Sequence, residues 1–124
     1  MAKILHLDDD PRQTELLRLM LRNEPYVLLS AQESATALVM ARAEKPDVIL
    51  VDINMPRMNG VEFAAEIKRI PELAQIPLIA MTANTMYGDR EYYLSHNFSV
   101  YLAKPVLRFE LVRALKSLLT TEPN

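Results

Sequence analysis

Four apolar residues stand between two aspartates in the segment DVILVD at residues 47–52. The run has no polar interruption, which is the pattern of a central strand that is covered on both faces. Strands of this kind belong to parallel sheets that lie between layers of helices. The segment therefore predicts an α/β domain in which Asp52 closes a buried strand.

Short apolar runs and helical patterns alternate along the rest of the 124 residues. Apolar runs bounded by turn residues predict strands at 4–7, 26–30, 47–52, 77–81 and 98–103. Helical spacing predicts helices from 11 to about 23, at 33–44, from Asn59 to about 69, through 88–95 and at 107–119. Capping boxes are predicted where Asp10 precedes Gln13 and where Asn59 precedes Glu62.

The alternation of five strands with five helices determines the fold class. With right-handed crossovers it predicts a doubly wound parallel sheet that carries helices on both faces. A chain of this length buries about two-thirds of its unfolded surface, so one domain is expected. We assign residues 1–119 to that domain and residues 120–124 to a short polar tail.

Composition excludes several classes of function. Fourteen basic and sixteen acidic residues give a net charge of −2, which leaves no basic surplus for binding nucleic acid. The longest apolar run, 37–41, is far shorter than the roughly 20 residues of a membrane span, and three aspartates by position 10 preclude a signal-peptide core. A soluble, cytoplasmic protein is expected. The absence of cysteine excludes disulfides, thiolate metal sites and cysteine nucleophiles.

Polar residues stand at the ends of four predicted strands. Asp8 and Asp9 follow the first strand, Asp52 ends the third, Thr82 follows the fourth and Lys104 follows the fifth. In a doubly wound sheet the ligand site lies at the carboxyl ends of the strands, so these side chains are expected to share one cleft. Three crowded carboxylates repel one another unless a cation lies among them, and hard oxygen ligands suit Mg²⁺.

These motifs together resemble those of a known family. The four strand-end motifs occur in order, with 43 residues from 9 to 52, 30 from 52 to 82 and 22 from 82 to 104. They read Asp8-Asp9, Asp52 with Met55-Pro56 and Gly60, Thr82-Ala83, and Tyr101-Leu102-Ala103-Lys104-Pro105. In this combination the chain resembles the single receiver domain of two-component response regulators. The resemblance implies a flavodoxin-like sheet with strand order 2-1-3-4-5, which periodicity alone does not provide.

The resemblance also implies how the site works. Asp52 would be the phosphoacceptor, taking a phosphoryl group from a sensor histidine kinase or a histidine phosphotransfer protein. Mg²⁺ would be held by Asp9, Asp52 and the backbone carbonyl of Asn54, with Asp8 acting through water. Lys104 would pair with the phosphoryl oxygens, and the hydroxyl of Thr82 would hydrogen-bond one of them.

Four further positions receive roles from the resemblance. Tyr101 corresponds to an aromatic residue that changes rotamer with phosphorylation, and Pro105 corresponds to a cis-proline. Asn54 and Asn84 would flank the path of the hydrolytic water; both are small, so spontaneous loss of the phosphoryl group is expected. Self-phosphorylation and autodephosphorylation would be the only reactions, so the chain would not be an enzyme in the usual sense.

The output expected from the resemblance is binding to another protein. The surface would be the face made by the fourth helix, the fifth strand and the fifth helix. It would include Met86, Tyr87, Tyr92, Tyr101 and Arg108.

Two other functions stay open at this point. Asp8 and Asp10 form a D-x-D motif like that of Mg²⁺-dependent aspartate phosphohydrolases of the haloacid-dehalogenase type, although Arg12 stands where that family has threonine. A receiver-like module that binds its partner without phosphorylation is the other. His6 and His96 are expected to be structural rather than phosphorylated or metal-bound.

Overall fold

Five parallel strands form one sheet in the order β2-β1-β3-β4-β5. The computed structural model describes residues 1–83 and 89–119. The elements in chain order are β1 Ala2–Leu7, α1 Pro11–Met20, β2 Tyr26–Ala31, α2 Ser34–Glu44, β3 Val48–Asp52, α3 Gly60–Arg69, β4 Leu78–Thr82, α4 Asp89–Leu94, β5 Val100–Ala103 and α5 Arg108–Leu119. Both the fold class and the strand order implied by the resemblance are confirmed.

The sheet separates two apolar layers. Ile49 of β3 packs with Phe63 of α3 in a layer that also receives side chains from α2 and α4, and we call this side the α2–α4 face. Leu50, the next residue of β3, packs with Leu17 of α1 and Leu111 of α5 on the opposite side, the α1/α5 face. Because successive strand residues point to opposite faces, each central strand contributes to both layers and is buried throughout.

Three element boundaries differ from the sequence prediction by more than one residue. β1 begins at Ala2 instead of residue 4, because Ala2 pairs with Tyr26 of β2 before the apolar run starts. α1 ends at Met20 rather than near residue 23, where the N–H of Leu21 bonds the carbonyl of Leu17 and closes the last turn. β5 begins at Val100 rather than at residue 98, because the N–H of Phe98 bonds back to α4.

Caps at two helices fix the loops that follow β1 and β3. Asn59 and Glu62 form the predicted capping box at α3. At α1 the carboxylate of Asp10 accepts from the N–H of Arg12. The expected capping box with Gln13 does not form, since the N–H of Gln13 bonds the backbone carbonyl of Asp10. Both caps hold a helix start directly beside a strand end.

Within residues 1–83 and 89–119, no helix combines the length and apolar character that crossing a bilayer requires. The predicted tail at 120–124 lies outside the described residues.

Candidate functional site

The strand-end residues are brought together by backbone hydrogen bonds at the carboxyl edge of the sheet. The N–H of Asp8 donates to the carbonyl of Ala31 in β2, which holds the end of β1 against its neighbour. The N–H of Lys104 donates to the carbonyl of Thr82 at 2.9 Å, which does the same for β4 and β5. Asp52 is the last residue of the central strand between them.

Three carboxylates form the acidic part of this cleft. Asp8, Asp9 and Asp52 each offer one oxygen, and the three oxygens lie within 4.8 Å of one another. Asp8 and Asp52 are buried, whereas Asp9 is exposed. Oxygen donors at this spacing, with one side open to solvent, fit a hard divalent cation such as Mg²⁺ that keeps some of its water.

The environment of Asp52 disfavours its charge. Burial, followed by the charge of Asp8, raises the pKa of Asp52 above its ordinary value. Lys104 and the N–H of Asn54, which lies 3.3 Å from Asp52 Oδ1, oppose this rise. A carboxylate that is buried beside another carboxylate is stabilised by any added cation.

Lys104 is the cation that the protein itself supplies. Its Nζ lies 3.0 Å from Asp8 Oδ2 and 3.5 Å from Asp52 Oδ1. Burial by itself would lower the pKa of Lys104, but the hydrogen bond to Asp8 and the charges of both aspartates raise it overall. The peptide bond between Lys104 and Pro105 is cis.

Thr82 links the cleft to aromatic side chains on the α2–α4 face. Its side chain is fully buried, and Asn54 Nδ2 lies 3.5 Å from its hydroxyl oxygen. Burial raises the pKa of the Tyr93 hydroxyl, and a hydrogen bond between that hydroxyl and Thr82 acts in the opposite direction. The rings of Tyr93 and Tyr101 are stacked, with centroids 5.6 Å apart.

Some predicted residues lie elsewhere or outside the described part. The carboxylate of Asp10 faces the guanidinium of Arg12 through two contacts of 3.0 Å, away from the three clustered carboxylates. Asn84, Met86 and Tyr87 lie outside the described residues. Tyr93 received no role among the sequence-based predictions, since a tyrosine in a helix gives no signal of what it will contact.

His6 is buried directly behind Asp8. Its Nδ1 lies 2.9 Å from the hydroxyl oxygen of Thr14 in α1, and its Nε2 lies 3.7 Å from Asp8 Oδ2. Among the buried side-chain nitrogens and oxygens of the described residues, Nε2 of His6 is the one atom without a hydrogen-bond partner. Burial lowers the pKa of His6 to about 4. The charge of Asp8 acts to raise this pKa, and the charge of Lys104 acts to lower it further. The sequence signal was a single histidine inside an apolar strand.

The buried histidine makes the fold sensitive to acid. Its pKa is 6.5 in the unfolded chain and about 4 in the fold, so stability is fully present above pH 6.5 and is lost as the pH falls toward 4. Between about pH 7 and about pH 5 we expect the free energy of unfolding to fall by about 2 kcal/mol more in the wild type than in His6→Gln. Urea titrations in EDTA measure both values. Parallel pH profiles of the two proteins would contradict the prediction.

Comparison with known proteins agrees with this geometry. A family model of the response regulator receiver domain matches residues 4–116. Protein PilH of Pseudomonas aeruginosa is 33% identical over 119 residues, covering 96% of this chain and 98% of PilH. The polar-differentiation response regulator DivK of Brucella anthropi is 31% identical over 116 residues, covering 94% of each.

A solved structure adds the likeness in three dimensions. It is the receiver domain of the sensor histidine kinase PA1611 from Pseudomonas aeruginosa, with a magnesium ion coordinated in its active site cleft. It matches with a TM-score of 0.84 and 33% identity, covering 94% of this chain and 96% of that one. With the family model and both relatives spanning nearly its whole length, this chain belongs to the family of response regulator receiver domains.

Proposed function

We propose that the chain is a phosphorylation-controlled switch whose phosphoacceptor is Asp52. The observation that carries this proposal is the position of the Asp52 carboxylate, which ends the central strand within reach of Lys104 and of two further carboxylates. One oxygen of Asp52 attacks the phosphorus of a phosphohistidine on a kinase or phosphotransfer protein. The new O–P bond forms as the P–N bond breaks, and the imidazole leaves with the electron pair. Membership of the family supports this reaction.

The residues of the cleft supply what phosphoryl transfer needs. This reaction depends mainly on in-line positioning and on neutralisation of charge. Lys104 stands beside Asp52 and carries a positive charge that can pair with the added phosphoryl oxygens. We assign the hydroxyl of Thr82 to hydrogen-bond one of them. The contacts of Asn54 support this assignment, because its backbone N–H lies beside Asp52 and its side-chain amide beside Thr82.

Mg²⁺ is the cofactor that we assign to the carboxylates. Asp9, Asp52 and the backbone carbonyl of Asn54 would hold it, with Asp8 acting through water. When bound, the cation supplies neutralisation of the charge on the phosphoryl oxygens. The spacing of the three carboxylates and the magnesium in the similar receiver domain of PA1611 support this assignment.

Incubation with acetyl phosphate and Mg²⁺, followed by mass spectrometry, tests the proposed function. We expect one labile phosphoryl group per chain, mapped to the peptide that contains Asp52, and none when EDTA replaces Mg²⁺. A module that binds partners without phosphorylation would show no adduct. A phosphohydrolase would instead turn over phosphate esters, but the carboxylate of Asp10 that this function requires is engaged with Arg12.

Asn54 is the described residue that we expect to set the lifetime of the adduct. Its side chain is exposed beside Asp52, so water reaches the phosphoryl group past a small residue. Replacement of Asn54 with leucine should lengthen the half-life at least about fivefold, which corresponds to roughly 1 kcal/mol of activation barrier. The measurement follows loss of the label after removal of acetyl phosphate. Asn54→Ser, which leaves the path open, is the control, and equal half-lives in all three proteins would exclude the role.

Asp9 is expected to couple Mg²⁺ to stability. Mg²⁺ binds the assembled cleft and not the unfolded chain, so it should raise the urea midpoint of the wild type. A tenfold loss of Mg²⁺ affinity in Asp9→Asn would reduce the increase in the free energy of unfolding at saturating Mg²⁺ by about 1.4 kcal/mol. In EDTA the variant should be slightly more stable, since one repelling charge is gone.

The matched control for this pair of titrations is Asp10→Asn. It removes a neighbouring carboxylate that lies outside the cluster, and asparagine is an equally good N-cap. An equal gain from Mg²⁺ in wild type and Asp9→Asn would place the metal elsewhere.

The output surface that we propose comprises α4, β5 and α5. Thr82, Tyr93 and Tyr101 connect the cleft to this side through a hydrogen bond and a ring stack, so a change at Thr82 reaches the surface in two steps. Tyr92 is 48% exposed there. Arg108 is directed instead toward α1, where its Nε donates to the carbonyl of Met20, so it lies at the edge of the surface. The occupant would be a downstream protein.

A further inference from the structure

We propose that His6 is a positioning residue. It donates a hydrogen bond to the Asp8 carboxylate in place of Lys104 when Lys104 moves to the phosphoryl group on Asp52. The inference rests on the proposed phosphorylation of Asp52. It assigns a role in the switch to a side chain that touches neither the phosphoryl group nor the metal.

The contacts of Asp8 show why it needs a second donor. Its side chain is 1% exposed. Oδ1 accepts the N–H of Asp10 at 2.9 Å, and Oδ2 accepts Lys104 Nζ at 3.0 Å. If Lys104 leaves, Oδ2 becomes a buried carboxylate oxygen with no protein donor among these contacts, which is costly.

Lys104 has a reason to leave. Its Nζ lies between the two aspartates, at 3.0 Å from Asp8 and 3.5 Å from Asp52. Phosphorylation places additional negative charge and new acceptor oxygens on Asp52 alone. The attraction on Lys104 therefore shifts from Asp8 toward Asp52.

His6 lies where it can replace Lys104 as a hydrogen-bond donor to Asp8. Its Nε2 already lies 3.7 Å from Oδ2 and has no hydrogen-bond partner in the part of the chain that the structure describes. An N–H···O hydrogen bond is about 2.7–3.2 Å long, so an approach of less than about 1 Å would complete one.

The second ring nitrogen determines where the imidazole proton lies. Nδ1 is 2.9 Å from the Thr14 hydroxyl, which can donate to it. That leaves the proton on Nε2, directed at Asp8. In the other tautomer a lone pair would face the carboxylate oxygen, which is repulsive. With Nδ1 engaged by Thr14, the ring acts on Asp8 by donating this hydrogen bond from Nε2.

Two amide substitutions at His6 distinguish the roles of its two ring nitrogens. Glutamine in place of His6 puts its amide nitrogen near the position of Nε2, whereas asparagine puts its amide near Nδ1. The probe is beryllofluoride with Mg²⁺, a non-covalent mimic of the phosphoryl group, titrated against each variant of the whole 124-residue chain. We expect His6→Asn to weaken beryllofluoride binding about tenfold, the effect of one lost buried hydrogen bond, while His6→Gln stays within about threefold of the wild type.

Mg²⁺ binding without beryllofluoride distinguishes positioning from general damage to the cleft. It should change less than about twofold in both variants, since Lys104 still holds Asp8 in that state. Unchanged beryllofluoride binding in His6→Asn, or an equal loss in both variants together with weaker Mg²⁺ binding, would overturn the proposal.

A second measurement uses the wild-type protein and is independent of how the variants fold. The ¹⁵N and ¹H resonances of the His6 ring report the tautomer and the hydrogen bond. We expect a proton on Nε2 whose resonance moves downfield when beryllofluoride is added. A proton on Nδ1, or an unmoved Nε2 resonance, contradicts the inference.

Failure of this inference differs from failure of the proposed function. If acetyl phosphate does not label the wild type and beryllofluoride does not bind, the phosphoacceptor assignment is wrong. If both succeed and His6→Asn behaves like the wild type, only the role of His6 is wrong.

Discussion

Replacement of Asp52 with asparagine should abolish phosphoryl incorporation from acetyl phosphate. The amide has nearly the shape of the carboxylate but lacks the charged oxygen that attacks phosphorus, so the nucleophile is lost while the fold is kept. The loss should be complete within the sensitivity of mass spectrometry of the intact protein. The urea midpoint in EDTA should not fall, because the pKa of Asp52 is raised by burial and the ionised carboxylate therefore destabilises the fold.

Asp10→Asn is again the matched control. Asp10 is also an aspartate at the same edge of the sheet, but its carboxylate contacts Arg12 and lies outside the acidic cluster. This variant should incorporate phosphoryl groups like the wild type. Persistent labelling of Asp52→Asn, or loss of labelling in Asp10→Asn, would show that the nucleophile has been misassigned.

Replacement of Lys104 with methionine should cost on the order of 3 kcal/mol of stability in EDTA. Methionine preserves most of the side-chain volume but leaves Asp8 and Asp52 buried without a counter-charge, and breaking a buried pair from one side has about this cost. Phosphorylated Lys104→Met should also bind its partner no better than the unphosphorylated variant, because the ammonium that responds to the new charge is gone. Urea unfolding and partner titration measure the two effects.

The chain contains a matched pair for this comparison. Lys3 Nζ lies 3.0 Å from Glu44 Oε1, the same distance as Lys104 Nζ from Asp8 Oδ2. The side chains of Lys3 and Glu44, however, are each 43% exposed. Lys3→Met should therefore cost less than about 1 kcal/mol. Asp8→Asn should recover part of the loss in the Lys104→Met background. Equal costs for the two lysines would mean that burial of the aspartates does not govern the stability of the cleft.

Much of this architecture follows from local sequence patterns. The apolar run at Val48–Val51 predicts a central strand because burial on both faces leaves no room for polar side chains. Since parallel strands end at the same edge, the residues that follow each run are expected in one cleft, and Asp8, Asp52 and Lys104 do meet there. The strand order could not be predicted in this way, because apolar periodicity identifies strands without stating which are neighbours. It came from the family resemblance.

The remaining details depend on contacts between distant parts of the chain. Ala2 belongs to β1 because it pairs with Tyr26, and the polar Lys3 separates it from the apolar run that begins at Ile4. The contacts of His6 with Thr14 and of Tyr93 with Tyr101 join side chains from separate elements, so no pattern within one element predicts them. Local patterns therefore located the site but not the side chains behind it.

The central sheet divides the side chains around Asp52 into two groups on opposite faces. Tyr93 and Tyr101 pack with the apolar layer of the α2–α4 face, whereas His6 lies in β1 on the side of Leu50 and reaches Thr14 of α1. Among the described residues, His6 and Thr14 share no direct contact with Tyr93 and Tyr101, so the effects of substitutions in the two groups on the free energy of unfolding should combine additively. For engineering, this means that the tyrosine side chains of α4 and β5 can be redesigned while the buried imidazole on the other side of the sheet is tuned separately.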